Sequence, residues 1–316
     1  MKAAVVLQKA GAPVYSEFKD PKPLEGEVLV NVTASALTHF TKLRALGKHY
    51  SFTAQPPFVV GIDGVGKLET GRRVYFLFPR APFGGMAEQS VVPLSQCIGV
   101  PDNVDDVTLA AIADPGMSAW TALETRAKLI AGETVIVNGA TGSAGGMAVQ
   151  IAKHLGAKKV IATGRSHDAL NALLSMGADE VIALENGHDA LRAAFRQKFE
   201  QRVDVVLDYL WGTSAEQLLA AASAGQPTVP VRFVQIGTAS APDIKLSGTV
   251  LRSSNIHLLG SGIGSVSPEE IANILSKLMQ AASSADFKIA TRALPLCQIA
   301  EAWSEKNATP RIVLTI

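Results

Sequence analysis

The sequence predicts an α/β protein in which a doubly wound parallel sheet is inserted into a β-rich domain. From residue 115 to about 284, short apolar runs alternate with helical stretches, the pattern of a parallel sheet covered by helices. Residues 1–114 are rich in β-branched residues, glycine and proline, in short runs bounded by turns. The tail from 285 to 316 shows a strand–helix–strand pattern and is expected to fold back onto this first region. We therefore predict a β-rich domain of residues 1–114 and 285–316 around an inserted domain of residues 115–284.

Composition excludes several classes of protein. The chain has 316 residues, of which 47% are hydrophobic, enough for two domains with their own cores. Lys and Arg total 29 against 28 Asp and Glu, so a basic nucleic-acid surface is not expected. Its apolar runs fall short of the ~20 residues that cross a bilayer, so no membrane partner is expected. Cys97 and Cys297 lack a CxxC partner, which favours the reducing cytoplasm over a disulfide framework.

Each region supplies a set of expected elements. Strands of the first region are expected at KAAVVL, EVLVNVTASAL, GRRVYFLF and AEQSVV. Strands of the inserted region are expected at TVIVN (134–138), KVIAT (159–163), EVIAL (180–184), VDVVLD (203–208), VRFVQIG (231–237) and NIHLLGS (255–261). The helices between them include SAGGMAVQIAKHL, HDALNALLSM and SAEQLLAAAS, and a further helix begins near Pro268. In the first of these, Met147, Ile151 and Leu155 form an apolar stripe that ends before Gly156.

A glycine-rich turn connects the first inserted strand to its helix. Such a turn, between a strand and a helix of a βαβ unit, is typical of a pyrophosphate site. Gly142 would let the backbone approach the phosphates, Gly145 would let the helix pack on the strand, and the helix N-terminus would face the negative charge. The alternative is a tight turn in a domain that binds nothing. The residues expected around the pyrophosphate are Ala140, Thr141, Gly142, Ser143, Ala144 and Gly145.

The end of the second inserted strand bears on the choice of cofactor. NAD-binding folds usually place an acid there, whereas this strand ends Gly164-Arg165-Ser166, with no acid before Asp168. An arginine offers a permanently charged donor fork to a 2′-phosphate. We therefore predict NADPH as the cofactor, with Gly164, Arg165 and Ser166 at the 2′-phosphate. The alternative is that Arg165 is a solvated surface residue.

Other residues follow from the position of the strand ends. The carboxyl ends of parallel strands face the ligand crevice, so Asp208, with Tyr209 and Leu210, should line the nicotinamide ribose. The same argument extends to two further strand ends. They contribute Gly237, Thr238, Gly260, Ser261 and Gly262.

A set of motifs occurs in a fixed order along the chain: MKAAVV, EVLVNVTASAL, FVVGIDGVG, GGMAEQSVV, DPGMSAWTAL, the glycine-rich turn, VDVVLD and the closing RIVLTI. Together they resemble the medium-chain dehydrogenase/reductase superfamily over essentially the whole chain. This resemblance implies a Rossmann domain inserted in a GroES-like catalytic domain, with the cofactor in the cleft between them.

The positions that hold catalytic zinc in that superfamily carry other residues here. Zinc-dependent relatives have Cys-His where this chain has Thr38-His39, and Gly-His-Glu where it has Gly61-Ile62-Asp63. A hydroxyl and an alkyl group cannot replace a thiolate and an imidazole as zinc ligands. His39 and His49 are interpreted as surface or substrate-cleft residues, and Asp63 as a structural partner. No metal is therefore expected, and the chain is similar to the zinc-free quinone oxidoreductase branch.

That branch implies a reaction and a set of residues. Its members transfer hydride from NADPH to a quinone or an α,β-unsaturated carbonyl, whose conjugation takes up the charge. Thr38 and Tyr50 match positions near the acceptor and are the candidate hydrogen-bond donors, although Tyr50 could instead be an exposed loop aromatic. Arg311 matches a basic position that reaches the cofactor. Ala169 and Leu184 replace a lysine and a tyrosine of relatives, so cofactor preference depends mainly on Arg165.

Two other functions and one assembly remain open at this stage. The alternatives to a quinone or enone reductase are a zinc-free alcohol or aldehyde dehydrogenase and an NADPH-binding sensor or structural protein without turnover. Relatives are often homodimers through the last strand of the dinucleotide sheet, here NIHLLGS. The identity of the acceptor depends on the shape of a pocket. The residues expected to shape it are Phe40, Tyr50, Phe52, Trp211 and Ile263.

Overall fold

A computed structural model describes residues 1–48, 55–185, 187–225, 228, 230–306 and 309–316. The strands, in chain order, are β1 Lys2–Val6, β2 Val14–Glu17, β3 Glu27–Ala36, β4 Phe58–Val59, β5 Asp63–Leu68, β6 Arg73–Leu77, β7 Gln89–Pro93, β8 Cys97–Gly99, β9 Thr134–Asn138, β10 Lys159–Gly164, β11 Glu180–Ala183, β12 Val205–Asp208, β13 Val231–Gln235, β14 Ile256–Gly260, β15 Thr291–Pro295 and β16 Arg311–Thr315. The α-helices are α1 His39–Ala45, α2 Asp106–Trp120, α3 Ser143–His154, α4 His167–Leu174, α5 His188–Gln201, α6 Thr213–Ala224, α7 Gly248–Arg252, α8 Pro268–Ala282 and α9 Ile299–Ser304.

The described residues divide into two compact units, Met1–Asp114 with Leu275–Ile316, and Pro115–Ile274. Both junctions lie inside helices, one within α2 and one within α8. The sequence pattern places the second junction after residue 284, at the end of α8, because a pattern reveals where a helix ends but not where its contacts change. The domain limits 1–114, 115–284 and 285–316 therefore stay a prediction.

The unit Pro115–Ile274 contains the predicted parallel sheet. In the described residues its strand order is β11-β10-β9-β12-β13-β14, and all neighbouring strands are parallel. This is the doubly wound Rossmann order, which reverses between β9 and β12 and places the ligand crevice at their carboxyl ends. The inner strands form because their apolar runs are buried on both faces, with Ile136, Val206 and Phe233 fully buried. The predicted fold class is thus confirmed.

The β-rich unit consists of two sheets in the described part of the chain. One has the order β15-β16-β3-β5-β6-β8, with β7 also paired to β3, and the other has the order β2-β1-β4. All pairings are antiparallel except that of β15 with β16. The predicted return of the tail is confirmed, because β16 pairs with β3 at Val313–Ala36. An apolar core that includes Val6, Val60 and Leu314 fills this unit.

Two further observations concern the class of protein. Among the described residues, no helix combines the length and apolar character needed to cross a bilayer. Cys97 and Cys297 are both free thiols. Burial raises the pKa of the Cys97 thiol to about 11, so this thiol is uncharged at neutral pH.

Candidate functional site

The glycine-rich turn leaves backbone accessible at the carboxyl end of β9. Gly142 is the exposed N-cap residue of α3, and no atom lies within 4 Å of the position its Cβ would take. At Gly145, by contrast, a Cβ would lie 2.3 Å from the carbonyl oxygen of Gly139, so α3 packs tightly on the turn. The first N–H groups of a helix have no partner within it and attract anions. An open glycine at such a helix start fits the pyrophosphate of a dinucleotide.

The other residues of the turn are held by the neighbouring strand. Ala140 is buried, and its N–H donates to the carbonyl of Thr163 at 2.7 Å. Thr141 contacts the end of β10, where a Cβ on Gly164 would lie 2.4 Å from the Thr141 Cγ2. Ser143 and Ala144, in the first turn of α3, are partly buried. Gly164 is therefore required by the close approach of the turn to β10.

Arg165 and Ser166 follow Gly164 directly and are both exposed. Ser166 is the N-cap of α4, and its Oγ accepts from the Ala169 N–H at 3.3 Å, which leaves the hydroxyl proton able to donate. Arg165 makes no hydrogen bond or ion pair with any residue that the structure describes. The Arg165 guanidinium therefore belongs to the residue next to Gly164, which contacts the glycine-rich turn. This position suits a contact with a 2′-phosphate, and the role of Arg165 in binding that phosphate stays a prediction.

A buried polar network, missed by the sequence analysis, links three strand ends. Asn138, the last residue of β9, donates from Nδ2 to Asp208 Oδ1 at 2.7 Å and to Ser214 Oγ at 2.9 Å. Its Oδ1 accepts from the Thr163 hydroxyl at 2.7 Å, and Thr163 Oγ1 accepts from the Gly139 N–H at 3.2 Å. The network therefore fixes β9, β10 and β12 at the point where the strand order reverses. A polar residue at the end of the apolar run VIVN was the available signal.

Asp208 lies at the centre of this network and is fully buried. Besides Asn138, the N–H groups of Leu210 and Trp211 donate to Asp208 Oδ1 at 3.1 and 3.2 Å. Burial raises the pKa of Asp208, and these hydrogen bonds oppose the rise. Because its carboxylate already serves buried donors, Asp208 acts first as a support of the turn after β12. Its contact with the nicotinamide ribose stays a prediction.

The remaining strand-end residues lie at the same edge of the sheet. Gly237 donates its N–H to the carbonyl of Asp208 at 3.1 Å, and a Cβ at Gly237 would lie 2.6 Å from the Tyr209 carbonyl oxygen. Thr238 is exposed, and the Ser261 N–H donates to the Gln235 carbonyl at 2.8 Å. The structure thus brings these residues to the carboxyl ends of β13 and β14. Trp211, one of the expected pocket residues, instead packs edge-on against Phe233, with centroids 6.4 Å apart.

Thr38, in the β-rich unit, caps a helix. It is buried, and its Oγ1 accepts from the Thr41 N–H at 2.9 Å at the start of α1. The two threonine hydroxyl oxygens are 3.1 Å apart. The hydroxyl predicted to donate to the acceptor therefore also has a structural function. Tyr50 and Phe52, the other predicted residues of this region, lie outside the described residues.

A second buried polar cluster in the β-rich unit contains Asp63, Tyr75, Asp114 and Arg311. The Tyr75 hydroxyl donates to Asp63 Oδ2 at 2.7 Å, and Arg311 Nη2 donates to Asp114 Oδ2 at 2.9 Å. Within the described residues, Asp63 Oδ1 and Arg311 Nε have no hydrogen-bond partner. Burial and the nearby Asp114 carboxylate raise the pKa of Asp63 to about 7, against the opposing effects of Tyr75 and Arg311. The structural role expected for Asp63 fits this cluster, and the cofactor contact of Arg311 stays a prediction.

Metal ligands can be assessed from the described side chains. No group of three or more His, Cys, Asp or Glu side chains with metal-binding geometry occurs among them. Ile62 is buried, and the oxygen of Thr38 caps α1. The two positions that hold zinc in relatives therefore carry an alkyl group, which cannot bind a metal, and a hydroxyl that accepts a helix-capping hydrogen bond. These side chains do not fit a zinc ion.

Comparison with known proteins connects these features to a family. The family described as zinc-binding dehydrogenase matches residues 144–281, a span that does not include Thr38 or Ile62. The chain is 29% identical to the "Probable NADPH-dependent quinone reductase tdiC" of Emericella nidulans over 96% of both chains. It is 31% identical to a 2-haloacrylate reductase of Burkholderia over 50% of this chain and 51% of that protein.

Solved structures agree with these similarities. The quinone oxidoreductase of Thermus thermophilus, whose complex with NADPH is also known, superposes over the full length of both chains with a TM-score of 0.83 and 27% identity. Similarity at this level covers the inserted sheet and the β-rich unit alike. The chain is therefore similar, over its full length, to the quinone oxidoreductase-like branch of the medium-chain dehydrogenase/reductase superfamily.

Proposed function

We propose that this protein is a zinc-independent oxidoreductase that transfers hydride from NADPH to a quinone or an α,β-unsaturated carbonyl. The observation that carries the proposal is the end of β10, where the exposed Arg165 follows the glycine that contacts the phosphate-binding turn. The similar proteins of Emericella nidulans and Thermus thermophilus, named as a quinone reductase and a quinone oxidoreductase, support the same reaction.

The residues of the Pro115–Ile274 unit would hold the cofactor in a defined order. When bound, NADPH supplies a hydride from C4 of its nicotinamide ring. The backbone of Ala140–Gly145 would hold the pyrophosphate, and Arg165 with Ser166 would bind the 2′-phosphate. We propose that five further residues contact the nicotinamide half or the phosphates of the cofactor. Four of them lie at strand ends of this unit, and one belongs to the other unit. This set comprises Asp208, Gly237, Thr238, Ser261 and Arg311.

Acceptors with a conjugated carbonyl need less electrophilic assistance than simple ketones. Their conjugation spreads the charge that develops when hydride adds, so a hydrogen bond can replace a metal ion. We assign this hydrogen bond to Thr38 and Tyr50. Thr38 accepts from the Thr41 N–H, and its hydroxyl proton can donate to the acceptor when the Thr41 hydroxyl is the donor in the contact between the two threonines. An unconjugated aldehyde would lack sufficient activation at such a site.

Three acceptors distinguish the proposal from its two alternatives. NADPH oxidation is measured with 2-cyclohexenone, with 2,6-dimethyl-1,4-benzoquinone and with hexanal, against a control without protein. The proposal predicts turnover of the enone or the quinone and none of hexanal, unchanged after treatment with a chelator. Turnover of hexanal alone would favour an alcohol or aldehyde dehydrogenase. Tight NADPH binding without any turnover would favour a sensor or structural protein.

The cofactor assignment has its own test at Arg165. Replacing Arg165 with Ala should raise KM for NADPH about 10- to 100-fold, the effect of losing a charge-assisted hydrogen-bond fork, and change KM for NADH less than about 2-fold. Arg196→Ala removes an exposed arginine on α5 that pairs with Glu200, and serves as the matched control. Equal effects on the two cofactors in Arg165→Ala would contradict the assignment.

We also propose that the protein is a cytoplasmic homodimer that pairs through β14. This strand is at the edge of the sheet in the described residues, and its Leu258 is 40% exposed. An apolar strand edge favours pairing with a second copy. Light scattering of the eluted protein should give the mass of a dimer, and Leu258→Lys should shift it towards the monomer. A monomeric parent protein would contradict this assembly.

A further inference from the structure

The β-rich unit contains a cavity of about 180 Å³ beside α1. Most of the described lining residues are apolar or aromatic, with Phe58, Ile62, Phe78 and Phe83 among them, and polar atoms of the backbone and of Thr41 and Arg44 also face the cavity. Concave sites that combine apolar side chains with a small number of polar groups are typical of small-molecule binding. Ile62 lies at one of the two positions that carry zinc ligands in zinc-dependent relatives. The cavity therefore reaches the part of this unit in which the acceptor is proposed to bind.

Thr41 connects this cavity to the proposed hydrogen-bond donor. The threonine lines the cavity, and its hydroxyl oxygen lies 3.1 Å from that of Thr38. A ligand in the cavity that reaches Thr41 is therefore close to the hydroxyl assigned to the acceptor carbonyl. The cavity and the Thr38 hydroxyl belong to the same unit of the chain and can be considered as one site.

Arg44 is the charged residue of the described lining. Its guanidinium lies over the Phe40 ring, with 5.6 Å between the guanidinium carbon and the ring centroid, which limits its orientation. Burial lowers the pKa of Arg44, yet an arginine remains charged at neutral pH. A partly desolvated guanidinium beside an apolar cavity favours a ligand that brings a negative charge. Its planar donor fork matches a carboxylate.

The volume limits the size of that ligand. A dry cavity of about 150 Å³ lined by aliphatic and aromatic side chains holds one benzene molecule. A cavity of about 180 Å³ therefore admits a single ring or a chain of roughly eight non-hydrogen atoms. Quinones with three fused rings exceed this volume. A short unsaturated keto acid fits both the volume and the charge.

We propose that this cavity binds the acceptor as a small anion, an α,β-unsaturated carbonyl compound whose carboxylate is held by Arg44. The reduction step rests on the proposed function. In that step the hydride adds to the carbon β to the ketone, the carbon–carbon π bond breaks, and its electrons move to the ketone oxygen. A proton from solvent then adds to the α-carbon. One equivalent each of NADPH and proton are consumed, and NADP⁺ and a saturated keto acid are formed.

The test compares an acid with its neutral ester. The value of kcat/KM is measured for trans-4-oxo-2-pentenoate and for its methyl ester, and their ratio is compared between variants, which cancels the intrinsic reactivity of the ester. Arg44→Met should lower the acid-to-ester ratio about 10- to 100-fold, and Arg44→Lys, which keeps the charge but not the fork, about 3- to 10-fold. Unchanged ratios in both variants would overturn the proposal.

Lys42 provides the matched control on the same helix. It carries the same charge, does not line the cavity in the described residues, and donates instead to the carbonyls of Trp303 and Glu305 at 2.9 and 2.8 Å. Lys42→Gln should leave the acid-to-ester ratio unchanged. An equal fall of the ratio in Lys42→Gln would show a general charge effect and overturn the assignment to the cavity. Should Arg44→Met fail to fold, the ratio in Arg44→Lys decides.

Binding without chemistry separates this proposal from the proposed function. 4-Oxopentanoate has the same carboxylate and ketone but no double bond to reduce, and its Kd is measured by calorimetry with the parent protein and Arg44→Lys. Weaker binding in the variant by about 3-fold or more supports the cavity site even if no acceptor is reduced. Reduction of the neutral ester together with Kd values that do not depend on Arg44 would leave the reductase intact and overturn the cavity site.

Discussion

Asp208 and Asp63 are both buried aspartates, but their surroundings satisfy them to different degrees. Asp208 accepts hydrogen bonds from the Asn138 side chain and from two backbone N–H groups at the carboxyl end of β12. Asp63 accepts from one phenol, has one oxygen without a described partner, and lies near a second carboxylate at Asp114. Burial raises the pKa of both groups, that of Asp63 to about 7.

The difference shows what kind of donor compensates for the burial of a charge. Backbone N–H groups at a strand end are fixed by the fold and cost little further entropy to orient. A single phenol cannot offset the desolvation of a carboxylate, and a neighbouring carboxylate increases the penalty. Ionisation should therefore destabilise the folded chain less at Asp208, where three hydrogen bonds oppose the effect of burial, than at Asp63. Three substitutions test this contrast.

The largest effect is expected from Asp208→Ala. The substitution leaves the Asn138 amide and the N–H groups of Leu210 and Trp211 without their acceptor, so the free energy of unfolding should fall by about 3–5 kcal/mol. Urea unfolding of the protein without NADPH measures this fall in the free energy of unfolding. Asp208→Asn keeps one acceptor oxygen and should cost about 1 kcal/mol. A loss below about 1 kcal/mol in Asp208→Ala would mean that water replaces the carboxylate without penalty.

The sequence predicts the strands and the turn near Asp208 better than it predicts the side-chain contacts of Asp208 and Asp63. The strands β9 to β13 follow from largely buried apolar runs and β14 from an apolar run at the exposed edge, and the observed ends lie within two residues of the expected ones at TVIVN, KVIAT and NIHLLGS. Local composition determines these elements, because strands that are covered on both faces require continuous apolar runs. The glycine-rich turn follows as readily, since Gly145 is required by contact within its own βαβ unit.

The side-chain networks could not be predicted in the same way. Asn138 and Asp208 are 70 positions apart in the chain, and Asp63 and Arg311 are further apart still. Their encounter depends on strand order and register rather than on local pattern. Thr38 resembled a donor to a substrate, but a threonine hydroxyl also caps a helix, and the sequence T-x-x-T gave no capping-box signal. Arg44 carried no signal at all, since only packing determines that it lines a cavity.

The intermediate effect, with the opposite sign, is expected from Asp63→Asn. The pKa of Asp63 in the folded chain is about 7, above the value of about 4 in the unfolded chain. Between these values the folded state binds more protons, so the free energy of unfolding falls as the pH rises from about 4 to about 7 and then levels off. The amide removes this loss. The variant should therefore be more stable than the parent protein by on the order of 2 kcal/mol at about pH 8.

The pH dependence distinguishes this explanation from a simple gain in packing. Near pH 5 the Asp63 carboxyl is neutral in the folded parent protein, so the advantage of Asp63→Asn should shrink steadily as the pH is lowered from 8. Asp114→Asn removes the neighbouring negative charge and should move the midpoint of this dependence to lower pH. Thermal unfolding at a series of pH values measures both. A constant advantage of Asp63→Asn from pH 5 to pH 8 would exclude ionisation of Asp63 as its cause.

The smallest effect is expected at the periphery of the Asp208 network, from Ser214→Ala. Ser214 Oγ accepts from Asn138 Nδ2 at 2.9 Å, but the same amide group also donates to Asp208 at 2.7 Å. Loss of the serine oxygen leaves Asn138 held by Asp208 and by the Thr163 hydroxyl, and Ser214 is only partly buried. The free energy of unfolding should therefore fall by about 0.5–1 kcal/mol, the net value of one such hydrogen bond.

A double substitution then measures how far the network acts as a unit. If Asp208 orients Asn138, loss of Ser214 should cost less in an Asp208→Ala background, where the amide is already free to turn towards other acceptors. A coupling free energy of about 0.5 kcal/mol or more, obtained by urea unfolding of the two single variants and the double variant, is expected for residues that share a partner. Strictly additive losses would show that Asn138 is oriented by the Thr163 hydroxyl, and that Asp208 stabilises chiefly the turn containing Leu210 and Trp211.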